Sequence, residues 1–502
     1  MAALDSTTSR SGSTPRYGAI LTLLCTGQFM VFLCLSSVNL ALPAIKNDLG
    51  MSEVSLNYIV TAYGTVLGGF LLLGGRLADT FGRRRVLNIG FVLFALASAL
   101  SALAWDGVSL IVGRGLTGLA AAFIAPAALS ILTNTFPEGP ARNKALGVWG
   151  SLAGLASILG VIIGGLLTQG PGWEWIFWLN VPVGLAAALL SPGIVPESVA
   201  EGRRNRFDFA GALVFTVSLL LLIFTLGEAT HVGWGSFRTV ASLITVVLLW
   251  AAFILIESRV QAPIMPLRIF RLRTMRTANM AAVLVFGMFT ALYFFASLFM
   301  QQVFGYSPLV AGFAYVPLGI AVAMGAWLAS SLLGKMPARP VLISALVISV
   351  IGLLLLWRAP AGGSYLVDLL PGFLLLGLGN GACFVTLQIA AFVGVSNEEA
   401  GLGAGLINTS QEAGGALGLA VVATIAYAGI GSAMAAANGD QAQMTKALES
   451  ANHTAFLTAA VLGVLSVLLA FMLPKSKTPG FAQQPSDDGS QAPADPQVSY
   501  DN

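Results

Sequence analysis

The chain has 502 residues, of which 56% are apolar and 9% charged, with a formal net charge of +3. At a mean hydropathy of +0.84, so little polar surface excludes a soluble globular protein of this size. The near-balanced charge gives no reason to expect a nucleic-acid partner; the partner that composition demands is a lipid bilayer.

Residues 1–16 are polar and rich in Ser and Thr, which predicts a disordered N-terminus. The apolar run Tyr17–Leu42 is too long for a signal-peptide core and predicts a retained spanning helix. Fourteen runs of spanning length follow one another. Six reach Val195, two lie between Phe209 and Ile256, and six run from Met275 to Leu473. Residues 474–502 are rich in Pro, Gln, Asp and Ser and predict a disordered tail. An even number of spans puts both termini on one side. Of the 25 Lys and Arg, only Lys46, Arg238, Arg358 and Lys446 then fall on the opposite side, and Arg114 falls within a span. Basic loops mark the cytoplasmic face, so both termini are expected there.

The densest charge lies between the second and third spans, in Gly74 to Leu87, GGRLADTFGRRRVL. Gly75 and Gly82 allow close backbone approach and a tight turn. Asp79 sits where a helix ends and is placed to pair with a neighbouring Arg or with the N-terminus of another helix; Arg83, Arg84 and Arg85 follow it. A degenerate echo, Arg339-Pro340-Val341-Leu342 with Lys335 before it, lies later in the chain. Each copy follows the second span of a half if the seventh and eighth spans are an insertion. The plan is then 17–196 as a six-helix bundle, 197–207 as a linker, 208–257 as two additional helices, 258–274 as a second linker and 275–473 as another six-helix bundle.

Two charges sit inside spans, where they are expensive. Arg114, in the fourth, either faces a wet cavity or snorkels toward the nearby helix end. Glu412 lies about three turns into the thirteenth. It is placed to load and release a proton, to pair with a cationic substrate, or to partner an Asn or Gln of a neighbouring helix. Gln28, Asn39, Gln388 and Asn408 serve equally as cavity residues or as interhelical glue. Phe32 and Tyr293 suit flat hydrophobic or cationic compounds where they face a cavity. Trp173, Trp175 and Trp178 cluster at a span boundary and predict an interfacial belt. The three cysteines lack metal-ligand spacing, and His231 and His453 have no second ligand nearby, so no metal is expected. There is no G-x-x-x-x-G-K-[ST] loop and no nucleophile constellation, so neither an ATP-driven pump nor an enzyme is expected, and no cofactor.

Gly75-x-Leu77-Ala78-Asp79-x-x-Gly82-Arg83-Arg84 resembles the loop 2–3 signature of the major facilitator superfamily, with Thr80 where a basic residue is usual. Several other stretches resemble its fourteen-span drug:proton antiporter branch, the EmrB/QacA type. They are Trp173-x-Trp175-Ile176-Phe177-x-x-Asn180-x-Pro182-x-Gly184, Asp208-Phe209-Ala210-Gly211, Gly305-Tyr306-Ser307-Pro308 and Gly405-Leu406-x-Asn408-Thr409-x-Gln411. The resemblance spans nearly all of Tyr17 to Leu473.

It implies an all-α membrane protein with the major facilitator fold, fourteen transmembrane helices arranged 6+2+6, and a substrate site at the midplane between halves. It also implies a bacterial cytoplasmic-membrane secondary transporter, a monomer, exporting amphiphilic drugs, dyes or antibiotics in exchange for protons. The alternatives are a narrow-specificity metabolite or natural-product exporter with atypical coupling, and a receptor-like member that moves nothing. Asp79 with Arg83, Arg84 and Arg85, turned by Gly75 and Gly82, would latch the outward-facing state by pairing at the cytoplasmic surface, and Arg114 would tune Glu412. Gly154, Gly160, Gly164 and Gly165 resemble the fifth-helix antiporter signature, with Val161 in place of its Pro. The family's first-span Asp is Cys34 here.

Overall fold

The computed structural model describes residues 17–473, apart from 52, 138, 199–207, 261–262, 264, 266, 397–398 and 429–439. The expected disordered termini, most of the 197–207 linker with Arg203, Arg204 and Arg206, and the side chains of Asn39, Val161 and His231 lie outside the described residues.

Every element among the described residues is helical. The first group is α1 (Tyr17–Leu49), α2 (Glu53–Phe81), α3 (Arg83–Ala102), α4 (Gly107–Thr135), α5 (Pro140–Gln169), α6 (Trp175–Trp178) and α7 (Asn180–Ile194). Next come α8 (Phe209–Val232) and α9 (Phe237–Arg259). The last group is α10 (Arg273–Leu298), α11 (Pro308–Ala314), α12 (Val316–Leu333), α13 (Ala338–Trp357), α14 (Leu370–Phe392), α15 (Ala400–Ala426) and α16 (Gln441–Ala470). Thirteen helical stretches among the described residues are long and apolar enough to cross a membrane. The 27-residue α15 is not one of them, although at 1.5 Å per residue it is about 40 Å long. Its glycines, with Asn408, Gln411 and Glu412, dilute its apolarity.

Local chemistry starts these helices where they start. Asp106 accepts from the Ser109 backbone N–H while the Ser109 hydroxyl receives the Asp106 N–H, a reciprocal cap on α4. Ser236 caps α9, and Ser307 caps α11 ahead of Pro308. Asp208 caps α8 through the Gly211 N–H at 2.8 Å. A side chain at Gly211 would collide with that carboxylate and crowd Glu257 of α9, which gives the Asp208-Phe209-Ala210-Gly211 stretch a physical reason.

The same packing scheme appears twice. In the first group α1 packs on α5, α2 and α3 on α4, and α3 on α7; in the last, α10 packs on α15, α12 and α13 on α14, and α13 on α16. Two seams join the groups, α2 with α15 and α5 with α12, while α8 pairs with α9 and touches both α2 and α15. Trp173 is buried and donates to Asp48 at 3.1 Å, so it pins the end of α1 rather than joining an interfacial belt; Trp175 is exposed.

The α4 cap yields a stability prediction. The Ser109 backbone N–H, and then its hydroxyl, hold the Asp106 carboxyl below the usual carboxylate range. Its stabilisation is therefore fully present above the ordinary Asp value and is lost as pH falls through the lowered folded value. Asp106→Ala is expected to lower the unfolding temperature of detergent-purified protein at neutral pH, by a margin that shrinks toward acid. Asp106→Asn should keep most of the stability, because Asn also caps. Equal losses for Ala and Asn in a thermal melt would remove the cap from the account.

Candidate functional site

The seams meet tightly at one end of the molecule, the end that carries the Gly74 to Leu87 loop. Asp79, at the last turn of α2, is 1% exposed. Its Oδ1 accepts from the Gly401 N–H at 3.0 Å and its Oδ2 from the Leu402 N–H at 2.8 Å. The carboxylate therefore sits on the open N–H groups that begin α15, where the helix dipole favours negative charge. Arg83 completes the arrangement with Nε at 3.2 Å and Nη2 at 3.0 Å from Oδ1. Contact this close requires Gly75 and Gly401, since a Cβ on Gly75 would run into the Gly401 carbonyl. Arg76 donates to the Pro263 carbonyl at 2.8 Å, and Arg268 pairs with Glu399 at the start of α15 at 2.8 Å.

Arg84 and Arg85 do something else. Gly82, at φ 109°, turns the chain into α3, and the Arg84 N–H then donates to Glu197 Oε1 at 3.1 Å. The Arg84 and Arg85 side chains face the same carboxylate at 3.5 and 3.8 Å. Arg84 also donates to the Pro192 and Val195 carbonyls. These two arginines hold the end of α7 inside their own bundle, and only Asp79 and Arg83 reach the seam. The expected four-residue latch thus divides in two.

At the second seam Ser330 of α12 donates to the Asn143 carbonyl of α5 at 2.6 Å. Gly147 and Gly150 face α12 and α14, and a Cβ on Gly154 would meet the Gly319 carbonyl. Gly160 and Gly164 face Ser36 and Ser37 of α1, and the Ser36 hydroxyl donates to the Ala156 carbonyl at 3.0 Å. Gly165 is half-buried. The fifth-helix glycines therefore divide between an interbundle and an intrabundle contact.

Inside these seams lies a narrow cavity of about 60 Å³ between the two groups. Gln28, Phe32 and Leu35 of α1, Tyr63 and Leu67 of α2, Phe286, Phe384, and Asn408, Gln411 and Glu412 of α15 line it. The Glu412 side chain is exposed to this space and has no ion pair or hydrogen bond among the described residues. Gly68 lets it approach, with its Cβ position 3.3 Å from that of Glu412. Ser410, on another face of α15, donates to Asn279 at 2.7 Å. Gln388 sits behind Asn408, donating to it at 3.5 Å. Tyr293 lies outside the lining; its hydroxyl accepts from Asn380 at 2.8 Å and its carbonyl from Tyr315 at 2.7 Å.

Arg114 is fully buried, so it does not snorkel. Its Nε donates to the Ile59 carbonyl at 3.1 Å and its Nη1 to Cys34 Sγ at 2.9 Å, while the guanidinium lies 4.5 Å from the Tyr63 ring centre. The cation contacts Tyr63, and Tyr63 in turn lines the cavity beside Glu412; Arg114 does not touch Glu412 itself. Tyr63 and Phe286 escaped the sequence reading, having no charge or motif to mark them. Gln411 stood in the Gly405-Leu406-x-Asn408-Thr409-x-Gln411 stretch without a role of its own. Among the described residues no three His, Cys, Asp or Glu side chains could hold a metal ion.

Two helical groups packed by one scheme, joined along two seams around a central cavity, are the architecture of a membrane transporter. A family model, the Major Facilitator Superfamily, matches residues 24–419, and the chain belongs to that superfamily. It is 36% identical over 476 residues to the puromycin resistance protein pur8 of Streptomyces alboniger, covering 93% of each chain. It is 33% identical over 428 residues to the cephamycin export protein CmcT of Amycolatopsis lactamdurans, covering 84% of this chain and 88% of that one. The solved structure of the human organic anion transporter MFSD10 (TETRAN) is similar with a TM-score of 0.66, covering 91% of this chain and 100% of that one at 17% identity; that likeness is one of fold.

Removing one partner of a buried, hydrogen-bonded charge pair costs about 3–5 kcal/mol, comparable to the roughly 5.5 kcal/mol that inverts a two-state population from 1:99 to 99:1. Asp79→Asn should therefore open the seam. Spin labels at the exposed positions Lys144 and Lys335, one on α5 and one beyond α12, should give one short distance in the wild type and a second, longer population in the variant. An unchanged distance distribution would show that Asp79 does not hold that end closed.

Proposed function

We propose that this protein is a proton-coupled exporter of amphiphilic small molecules. It works by alternating access, as a monomer, in the bacterial cytoplasmic membrane with both termini cytoplasmic. In this reading 17–196 and 275–473 are the rocking halves and 208–257 the additional pair. The observation that carries it is the Glu412 carboxylate, without a protein partner among the described residues, in a cavity between two groups whose basic end is closed by Asp79. A carboxylate so placed must find a proton or a cationic guest, and exchanging one for the other is antiport. With the basic end cytoplasmic by the charge bias, the conformation described is shut on that side, where Asp79 and Arg83 latch it. The relatives' names, which speak of antibiotic resistance and of export, support outward movement of a drug-like molecule. Arg114 acts at one remove, by fixing Tyr63 beside Glu412.

The narrowness of the cavity favours, as a second reading, a narrow-specificity exporter of one natural product. Everted membrane vesicles acidified inside by respiration test both. Addition of a substrate should partly collapse the proton gradient, seen as recovery of a pH-sensitive dye's fluorescence, and Glu412→Gln should abolish that recovery at matched expression. Recovery that survives the substitution removes Glu412 from coupling. Response to a single natural product and to no dye selects the second reading. Response to nothing in a broad panel counts against export.

A further inference from the structure

The three consecutive arginines after Gly82 are unequally employed. Arg83 serves the α2–α15 seam and Arg84 holds the end of α7. The Arg85 side chain is 74% exposed and lies 3.8 Å from a Glu197 oxygen. That carboxylate already accepts from the Arg84 and Ser198 N–H groups and faces the Arg84 side chain at 3.5 Å. Two guanidinium charges thus meet one carboxylate, and an exposed contact as long as that of Arg85 contributes little. One positive charge is left facing outward. It stands beside the N-terminus of α3, where the helix dipole has the same sign and the first turn holds no acid.

Arg85 also lines a groove of about 510 Å³ on the outer face of α3. Asn88, Ile89, Val92, Leu93 and Leu96 complete the lining. Beyond Asn88 the groove is wholly apolar, and Ile89, Val92 and Leu96 are exposed. The helix rises about 16 Å from Arg85 to Leu96, half of the roughly 30 Å hydrocarbon thickness of a bilayer. The groove is therefore one leaflet deep, with its charge at the level of the headgroups and its apolar walls at the level of the chains.

We infer that this groove binds one anionic phospholipid of the leaflet on which the Gly74 to Leu87 loop lies. The phosphate rests on Arg85, and an acyl chain runs along Ile89, Val92 and Leu96. Lipid tails coat any spanning helix; the assignment is of a headgroup. A phosphate with no ammonium of its own, as in phosphatidylglycerol, takes charge-assisted hydrogen bonds from the Arg85 guanidinium. Asn88, one turn along the same groove, is a neutral partner for glycerol or ester oxygens. In phosphatidylethanolamine an ammonium in the same headgroup competes for the phosphate. The inference stands apart from what the protein transports.

The test is native mass spectrometry of the full chain in detergent, titrated with dioleoylphosphatidylglycerol and with dioleoylphosphatidylethanolamine. The first phosphatidylglycerol is expected to bind at least about 5-fold more tightly than the first phosphatidylethanolamine, the worth of one basic residue facing anionic lipid. Arg85→Ala should remove that preference. Arg85→Lys should retain part of it, because Lys keeps the charge without the planar fork. Lys335→Ala, at an exposed basic residue of the other helical group, should leave it unchanged. Inorganic phosphate should displace the lipid no better than chloride at equal ionic strength, having no chain to lay in the groove. Equal binding of the two lipids by the wild type, or a preference that survives Arg85→Ala, overturns the inference. So does an equal loss on Lys335→Ala, which would assign the preference to general surface charge. Displacement by phosphate would assign a free-anion site, and a dimer that Val92→Trp dissociates would assign the groove to a second copy of the chain; either overturns it.

Discussion

The Asp79 carboxylate resting on the first turn of α15 is the contact on which the arrangement of this molecule depends. It joins residues more than three hundred positions apart, and it does so with backbone N–H groups and an arginine that is itself buried. An acid taken out of water at a helix start is favourable only while that helix start is present. The contact is therefore all-or-none, as the proposed alternating-access cycle requires of its latch. Gly75 and Gly401 make it possible by removing the side chains that would hold α2 and α15 apart.

The same economy of side chains governs the rest of the interior. Along α5 the glycines divide their service, Gly147, Gly150 and Gly154 facing α12 and α14 and Gly160 and Gly164 facing α1, so one helix is both a member of its own bundle and a runner against the other. Packing of this kind in a bilayer draws on close backbone approach rather than on burial from water. The cavity lies beside Glu412, where Gly68 lets α2 come close to α15.

Much of this was legible in the chain. The apolar runs, the basic loops, Asp79 at a helix end and Glu412 deep in a span all follow from composition and periodicity. What periodicity does not encode is the partner across the fold. That Arg84 and Arg85 turn to Glu197, while Arg83 alone joins Asp79, depends on the positive φ of Gly82 and on where α7 ends. The later echo of the loop shows the same limit. Arg339 occupies the matching place in the sequence but lies 5.1 Å over the Phe471 ring. Tyr63 was invisible because an aromatic residue in an apolar run is ordinary, and only its place under Arg114 distinguishes it.

The position of α8 makes the two seams unequal. At the end opposite the latch Tyr58 of α2 donates to Glu228 of α8 at 3.3 Å, and Trp234, just beyond α8, donates to Thr424 of α15. Ile223 and Leu220 of α8 press on Gly68 and Gly69 of α2. The α2–α15 seam therefore lies behind α8, while no described helix of the additional pair packs on α5 and α12. The additional pair thus covers one seam from the bilayer and leaves the other without a helix of that pair before it.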